Sequence, residues 1–241
     1  MQSVLIPSIL AVGLACGNSV DGAAPSVADI LAAWSRALME TAHGERGGAL
    51  FVLGCLPSLR EIYLDDWLSH LLEAPGDWLL QIESLNTQEL VQRIRERSVS
   101  VGVLYEPPRA ADLWSESLTR FDLILVSTTP DTSIASGLSE YIYVDWGSSF
   151  AVAHNDLLTG LSPPVLKLDT PVLAHRLMLT RGGSAYLARP TIVEDLQAGR
   201  LHIVRDAPVI QRQVYLVGNR EAVDDVRLGE LVSALRARVD H

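Results

Sequence analysis

From Gly48 to His241 the chain alternates short apolar runs with capped amphipathic stretches, and no other feature constrains the fold as strongly. A strand is expected from Ala49 to Leu56, then Pro57 and a helix capped by Ser58 with Glu61 at the third position. That helix carries Ile62, Leu64, Trp67, Leu68, Leu71 and Leu72 and stops near Pro75-Gly76. A second strand, Trp78 to Leu85, leads into Asn86, whose capping partner Glu89 opens a helix from about Thr87 to Arg97. Further strands are expected over Ser98 to Tyr105 and Asp122 to Ser127. Strand–helix–strand–helix–strand in this order builds a parallel sheet through right-handed crossovers, which makes the chain an α/β protein.

Thr128 to Ser139, rich in Thr, Ser, Pro, Asp and Gly, reads as a hinge or crossing, and a second unit of the same kind follows it. Tyr141 to Trp146 is strand-like, and Gly147-Ser148-Ser149 turns into a short helix. After a strand over Pro164 to Leu168, Thr170 caps a helix with Pro171 at the favoured first position and a stop at Gly182-Gly183. Ser184 to Ala188 is a strand, Thr191 with Glu194 caps the next helix, and Arg200 to Val204 is a strand. Gln213 to Val217 is the last strand, and Glu221 to Val239 an amphipathic helix expected to return to the first lobe.

Upstream, Ser26 with Asp29 opens a helix whose Val27, Ile30, Leu31, Trp34 and Leu38 form one apolar stripe. Residues 1–25 contain no Lys or Arg, so Val4 to Ala15 lacks the charged start of a secretory signal, and Pro7 and Gly13 interrupt it. They are expected to be a poorly ordered or non-native tail. The net charge of −10 argues against broad attachment to nucleic acid, which needs clustered Lys and Arg. The two cysteines, Cys16 and Cys55, show no metal-type spacing, and Cys55 in its apolar run reads as a buried hydrophobe.

Three stretches carry a resemblance to a known family. The first is the Ala49–Pro57 strand with the Asn86-Thr87-Gln88-Glu89-Leu90-Val91 opening and Val99–Tyr105, where Ser100 departs from the usual Asp. The second is Leu173–Pro190, with Arg181-Gly182-Gly183-Ser184-Ala185-Tyr186-Leu187-Ala188-Arg189-Pro190. The third is Leu196-Gln197-Ala198-Gly199-Arg200-Leu201, followed by Val214-Tyr215-Leu216-Val217. In this order they resemble the effector-binding half of LysR-type transcription regulators, and Val144-Asp145-Trp146-Gly147 is similar to one subgroup. The resemblance implies a two-lobed, periplasmic-binding-protein-like fold of type 2, each lobe a mainly parallel sheet flanked by helices, with a ligand cleft between the lobes. It also implies a linker helix at 26–46, with Ile30, Leu31, Trp34 and Leu38 at a dimer interface; a helix packed on its own domain is the alternative. Lobe I is expected at 47–128 plus 212–241 and lobe II at 129–211, with closure about Thr128–Thr132 and Ala207–Gln211. The family's winged helix-turn-helix is expected to be lacking here.

Enzyme signatures are missing from the sequence: no phosphate-binding glycine loop, nucleophile elbow or metal-binding His pair occurs, and the six His are scattered. No enzyme activity, metal or cofactor is therefore expected. Ligand binding is better supported, because α/β lobes gather helix N-termini, whose free N–H groups favour a carboxylate, at the carboxyl ends of their strands. The candidates are Ser58 and Leu59, Asn86 and Thr87, Ser148 and Ser149, and Thr170, each hydroxyl otherwise capping only its own helix, with Tyr105, at the end of the third strand, either walling the cleft or filling a core. Trp146 either walls the cleft or fills the second core. No Arg is positioned by sequence alone as a carboxylate clamp. The expected function is cytoplasmic sensing of a small-molecule effector, its charge left open and an organic anion one option, by a homodimer or a mixed dimer with a full-length regulator, without membrane attachment or direct nucleic-acid binding. The alternative is an exported solute-binding (lipo)protein of a transporter.

Overall fold

Strand β1, Ala49–Cys55, has Phe51, Val52, Leu53 and Cys55 all buried, as a strand covered on both faces requires. In the computed structural model, which describes residues 49–73, 78–138, 140–157, 163–222 and the single positions 229, 232, 233 and 235, it lies between two parallel neighbours. These are β2 (Trp78–Ser84) and β3 (Val101–Leu104). Helix α1 (Pro57–Glu73) starts on its proline, whose missing N–H costs nothing at that position, and turns Leu59 and Trp67 inward. Helix α2 (Thr87–Arg95) begins as expected: Asn86 Oδ1 accepts the Glu89 N–H at 3.0 Å. Its buried residues Leu90 and Ile94 rest where Gly54 and Gly102 stand opposite each other on β1 and β3. A Cβ on Gly54 would lie 2.4 Å from Leu90 Cδ1, and one on Gly102 2.5 Å from Ile94 Cδ1, so the bare backbone sets how closely the helix approaches.

The second lobe repeats the pattern. It contains β5 (Tyr141–Val144), α3 (Ser148–Leu157), β6 (Leu166–Leu168), α4 (Pro171–Arg181), β7 (Ser184–Ala188), α5 (Val193–Gln197) and the two-residue β8 (His202–Ile203). Strands β6, β5 and β7 are parallel, like β2, β1 and β3 in the first lobe. Two long strands, β4 (Leu113–Ser127) and β9 (Ile210–Asn219), join the trios in the order β2-β1-β3-β9-β4-β7-β5-β6. The pairs β3–β9, β9–β4 and β4–β7 are antiparallel.

The crossing differs from expectation. It is made by β4 and β9 themselves, paired from Leu113↔Asn219 to Leu123↔Ile210, and not by Thr128–Ser139 or Ala207–Gln211 alone. Strand β4 begins nine residues before the expected Asp122 because its first half is solvent-facing and polar, with Ser115, Glu116 and Ser117 exposed. Thr128–Leu138 folds as turns over Asp206, whose carboxylate accepts the Ile134 and Ala135 N–H groups. Two capping assignments are also corrected. Ser58 lies inside the first turn of α1, its hydroxyl turned to Tyr105, since the helix already starts at Pro57. Thr191 lies in a 3-10 turn, Arg189–Ile192, with its hydroxyl donating to the Ala188 carbonyl. The tail at 1–25 and the helix at 26–46 lie outside the described residues. Of the helix expected at Glu221–Val239, Val232 and Leu235 are described as buried.

Candidate functional site

Three chain segments meet where the lobes join. Strand β3 hands over to Tyr105 and Glu106, β5 runs through Asp145, Trp146 and Gly147 into α3, and β9 carries Arg212. Glu106 reaches across to the N-terminus of α3. Its carboxylate accepts the Ser148 hydroxyl at 2.6 Å, the Ser149 N–H at 2.9 Å and the Ser149 hydroxyl at 2.8 Å. Arg212 Nη2 donates to the same carboxylate at 3.2 Å, and its Nη1 donates to Ser149 Oγ. Arg212 is only 4% exposed, with its guanidinium carbon 4.8 Å from the centre of the Tyr105 ring. The Tyr105 hydroxyl in turn shares a 2.7 Å hydrogen bond with Ser58.

The turn before α3 depends on Gly147. Its φ is +91°, and a Cβ there would lie 3.0 Å from Arg212 Nη2 and 3.1 Å from Tyr105 Cδ2. Glycine therefore meets both the backbone and the space requirement. Asp145 Oδ1 fixes the same turn by accepting the Gly147 N–H at 2.9 Å.

These contacts shape the electrostatics. Partial burial pushes the Glu106 carboxyl upward, but the Ser148 and Ser149 donors and Arg212 outweigh it and hold it at about 2. Burial pushes the Tyr105 phenol far above its ordinary value, with Ser58 and Arg212 opposing, so it stays neutral. A second carboxylate of lobe I makes a similar bridge: Glu61 Oε2 accepts the Val172 N–H, in the first turn of α4, at 2.9 Å. Here burial prevails and the Glu61 carboxyl is raised. The N-termini of α3 and α4, suited to anions, are thus both contacted by carboxylates from lobe I.

An aromatic column lies beside this polar junction. Tyr63 stacks on Trp67 at 5.1 Å and meets Phe121 at 6.0 Å, and Phe121 meets Trp146 at 5.9 Å. Trp146 is fully buried among the core residues, with its indole N–H donating to the Tyr186 carbonyl. Ser58, Tyr105, Ser148 and Ser149 are brought together. Leu59 belongs to the core, and its N–H is taken by the Leu56 carbonyl. Asn86 and Thr87 are exposed at the start of α2, and among the described residues no hydrogen bond joins them to the cluster. Thr170 is the backbone cap of α4, but its hydroxyl donates to Asp169.

Glu106 and Arg212 were missed from the sequence, although Arg212 left a signal. It shares the buried face of β9 with Ile210, Val214 and Leu216 at period two, where a charge demands a partner. Elsewhere, Cys55 is buried and its thiol pushed up to about 11 by that burial, so it is an inert core residue. His154 shares a 2.7 Å hydrogen bond with the Tyr141 hydroxyl within a ring cluster. Among the described residues, no group of three or more His, Cys, Asp or Glu is placed to hold a metal ion. A separate surface hollow of about 520 Å3, lined by Pro130, Leu201, Ile203 and Asp206 among others, lies within lobe II.

A sequence model of the LysR substrate binding domain matches residues 44–240. The chain is 30% identical over 203 residues to the HTH-type transcriptional regulator HdfR of Yersinia enterocolitica serotype O:8 / biotype 1B, covering 80% of this chain and 68% of that one. For HdfR of Yersinia pestis (strain Pestoides F) the identity is 30% over 198 residues, covering 78% and 66%. The chain thus spans about two thirds of the length of these curated relatives. The regulatory domain of HypT from Salmonella typhimurium, in its apo form, shares the fold with a TM-score of 0.67 at 17% identity, over 78% of this chain and 94% of that one. The C-terminal domains of a LysR family protein from Agrobacterium tumefaciens str. C58 give 0.66 at 16%, over 80% and 97%. The expected two-lobed, type 2 periplasmic-binding-protein-like fold is the fold of this chain.

Proposed function

The chain belongs to the family of LysR substrate binding domains, and on that premise we propose that it senses a small organic anion held between its two lobes, in the service of transcription regulation. The observation that carries this reading is Arg212, a buried cation at the lobe junction that needs an anionic partner in every state of the cleft. Ser148, Ser149, Tyr105 and Ser58 supply the neighbouring polar groups, and the effector acts by being bound rather than turned over. It shifts the balance between two lobe arrangements by its difference in affinity for them.

Ile30, Leu31, Trp34 and Leu38 would carry that change to a second subunit, in a homodimer or a mixed dimer with a full-length relative. A net charge of −10 argues against broad DNA contact by the sensing lobes. The setting is the cytoplasm, in keeping with relatives that are transcription regulators. The solute-binding alternative is not favoured, since the matching relatives are transcription regulators.

The test is a thermal-shift screen of the chain against small organic acids at neutral pH. A true effector raises Tm, and its affinity falls about tenfold or more in Ser149→Ala, which removes a hydroxyl that donates to the anion. A ligand whose effect is unchanged in Ser149→Ala and Arg212→Met binds elsewhere and sinks the proposal.

A further inference from the structure

The donors at the lobe junction are already engaged, by the protein itself. Glu106 takes the Ser148 hydroxyl, both donors of Ser149 and one arm of Arg212. The two sides of this contact differ in how firmly they are held. Arg212 is buried in the β9 ladder, and the serines are the first two residues of the ten-residue helix α3. The guanidinium also keeps its Nε–H buried with no partner among the described residues, a donor that Glu106 does not use. Glu106, by contrast, opens an irregular segment containing Pro107 and Pro108, and its side chain is 41% exposed. A buried cation cannot leave without a large desolvation imbalance, whereas a carboxylate at the water-facing edge can be exchanged for another.

We propose that Glu106 is a tethered stand-in for the effector: a ligand carboxylate displaces it from Ser148, Ser149 and Arg212, replacing a contact made by lobe I with one made by the ligand. This rests on the effector reading of the junction and gives it a chemical class, a carboxylic acid whose acid group meets the same donors. Glu61 is not an equivalent competitor, because at Val172 it meets one N–H and no buried cation. The internal carboxylate also lowers apparent affinity, since only molecules with Glu106 swung away are competent to bind.

The decisive experiment is chemical rescue of the whole chain carrying Glu106→Ala, with acetate as the probe. Removing the carboxylate should lower Tm by roughly 4–10 °C. Sodium acetate should then restore at least half of that loss, beyond the effect of equal sodium chloride. The wild-type protein should gain no more from acetate than from chloride, and neither should the double variant with Arg212→Met. Absence of acetate-specific recovery in a folded Glu106→Ala protein overturns the proposal, as does an equal gain in wild type. A variant gain from sulfate matching that from acetate overturns the carboxylate assignment. If the alanine variant does not fold, the same titration on Glu106→Gln, a neutral and weaker occupant of similar size, decides in the same way. Rescue needs no effector. Failure of the organic-acid screen with successful rescue therefore refutes the sensing role and leaves the anion subsite standing; a hit without rescue does the reverse.

Discussion

Arg212 and Glu106, 106 positions apart in the chain, meet at 3.2 Å where the lobes join, the cation buried and the carboxylate half in water. Each is tied to the same third residue, Ser149, which donates to Glu106 and accepts from Arg212. Deleting one member therefore removes a contact from each of the other two.

Arg212→Met keeps an unbranched apolar stem and removes the guanidinium and its charge. It should cost about 1–3 kcal/mol, less than the roughly 3–5 kcal/mol of breaking a fully buried pair, because Glu106 is partly hydrated. Urea unfolding measures it; an unchanged midpoint would mean the guanidinium does not hold the junction.

Acid should weaken the same contact. The Glu106 carboxyl is held at about 2, below the roughly 4.3 of an unfolded glutamate. Its stabilisation is complete above the unfolded value and is lost as pH falls towards the folded one. The gap in stability between wild type and Glu106→Gln should be constant near neutrality and should close between about pH 4.5 and pH 2. A gap that stays constant across that window contradicts the assignment.

Close packing of α2 on β1 and β3 makes a separate prediction. In Gly102→Ala the new methyl would meet Ile94 Cδ1 at 2.5 Å and Leu90 at 3.3 Å, inside a core where both residues are fully buried. The overpacking cost is about 1–3 kcal/mol, seen as a lower Tm with no change in ligand preference.

Light scattering of the chain with and without residues 1–47 tests the expected linker helix. Loss of a dimer on removal supports Ile30, Leu31, Trp34 and Leu38 as the interface. A dimer that persists places the interface on the lobes.

Much of the fold was readable wherever local chemistry and tertiary context agreed. Strand β7 at Ser184–Ala188, the Asn86 cap of α2 and the Thr170-Pro171 start and Gly182 stop of α4 fall where the sequence pattern puts them. The first half of β4 was hidden because it is half of a solvated ribbon, whose Ser115, Glu116 and Ser117 show no apolar alternation. At the site, Ser148, Ser149 and Tyr105 were readable as ends of predicted elements. Glu106 was not, because an acidic residue before two prolines looks like any loop. Its role comes only from β9 bringing Arg212 beside it through a pairing that spans half the chain.

The ladder of β4 and β9 also has a mechanical meaning. Two strands hydrogen-bonded along ten register pairs resemble a torsion bar: any turn of one lobe against the other would have to twist a ladder rather than pivot on a slack loop. The register slips once, between Ser117 and Thr119, which gives the bar one compliant point. Arg212 stands opposite Phe121, two residues along from that slip. The buried cation of the junction and the aromatic ring that touches both Tyr63 and Trp146 therefore share a rung two steps from the irregularity of the bar.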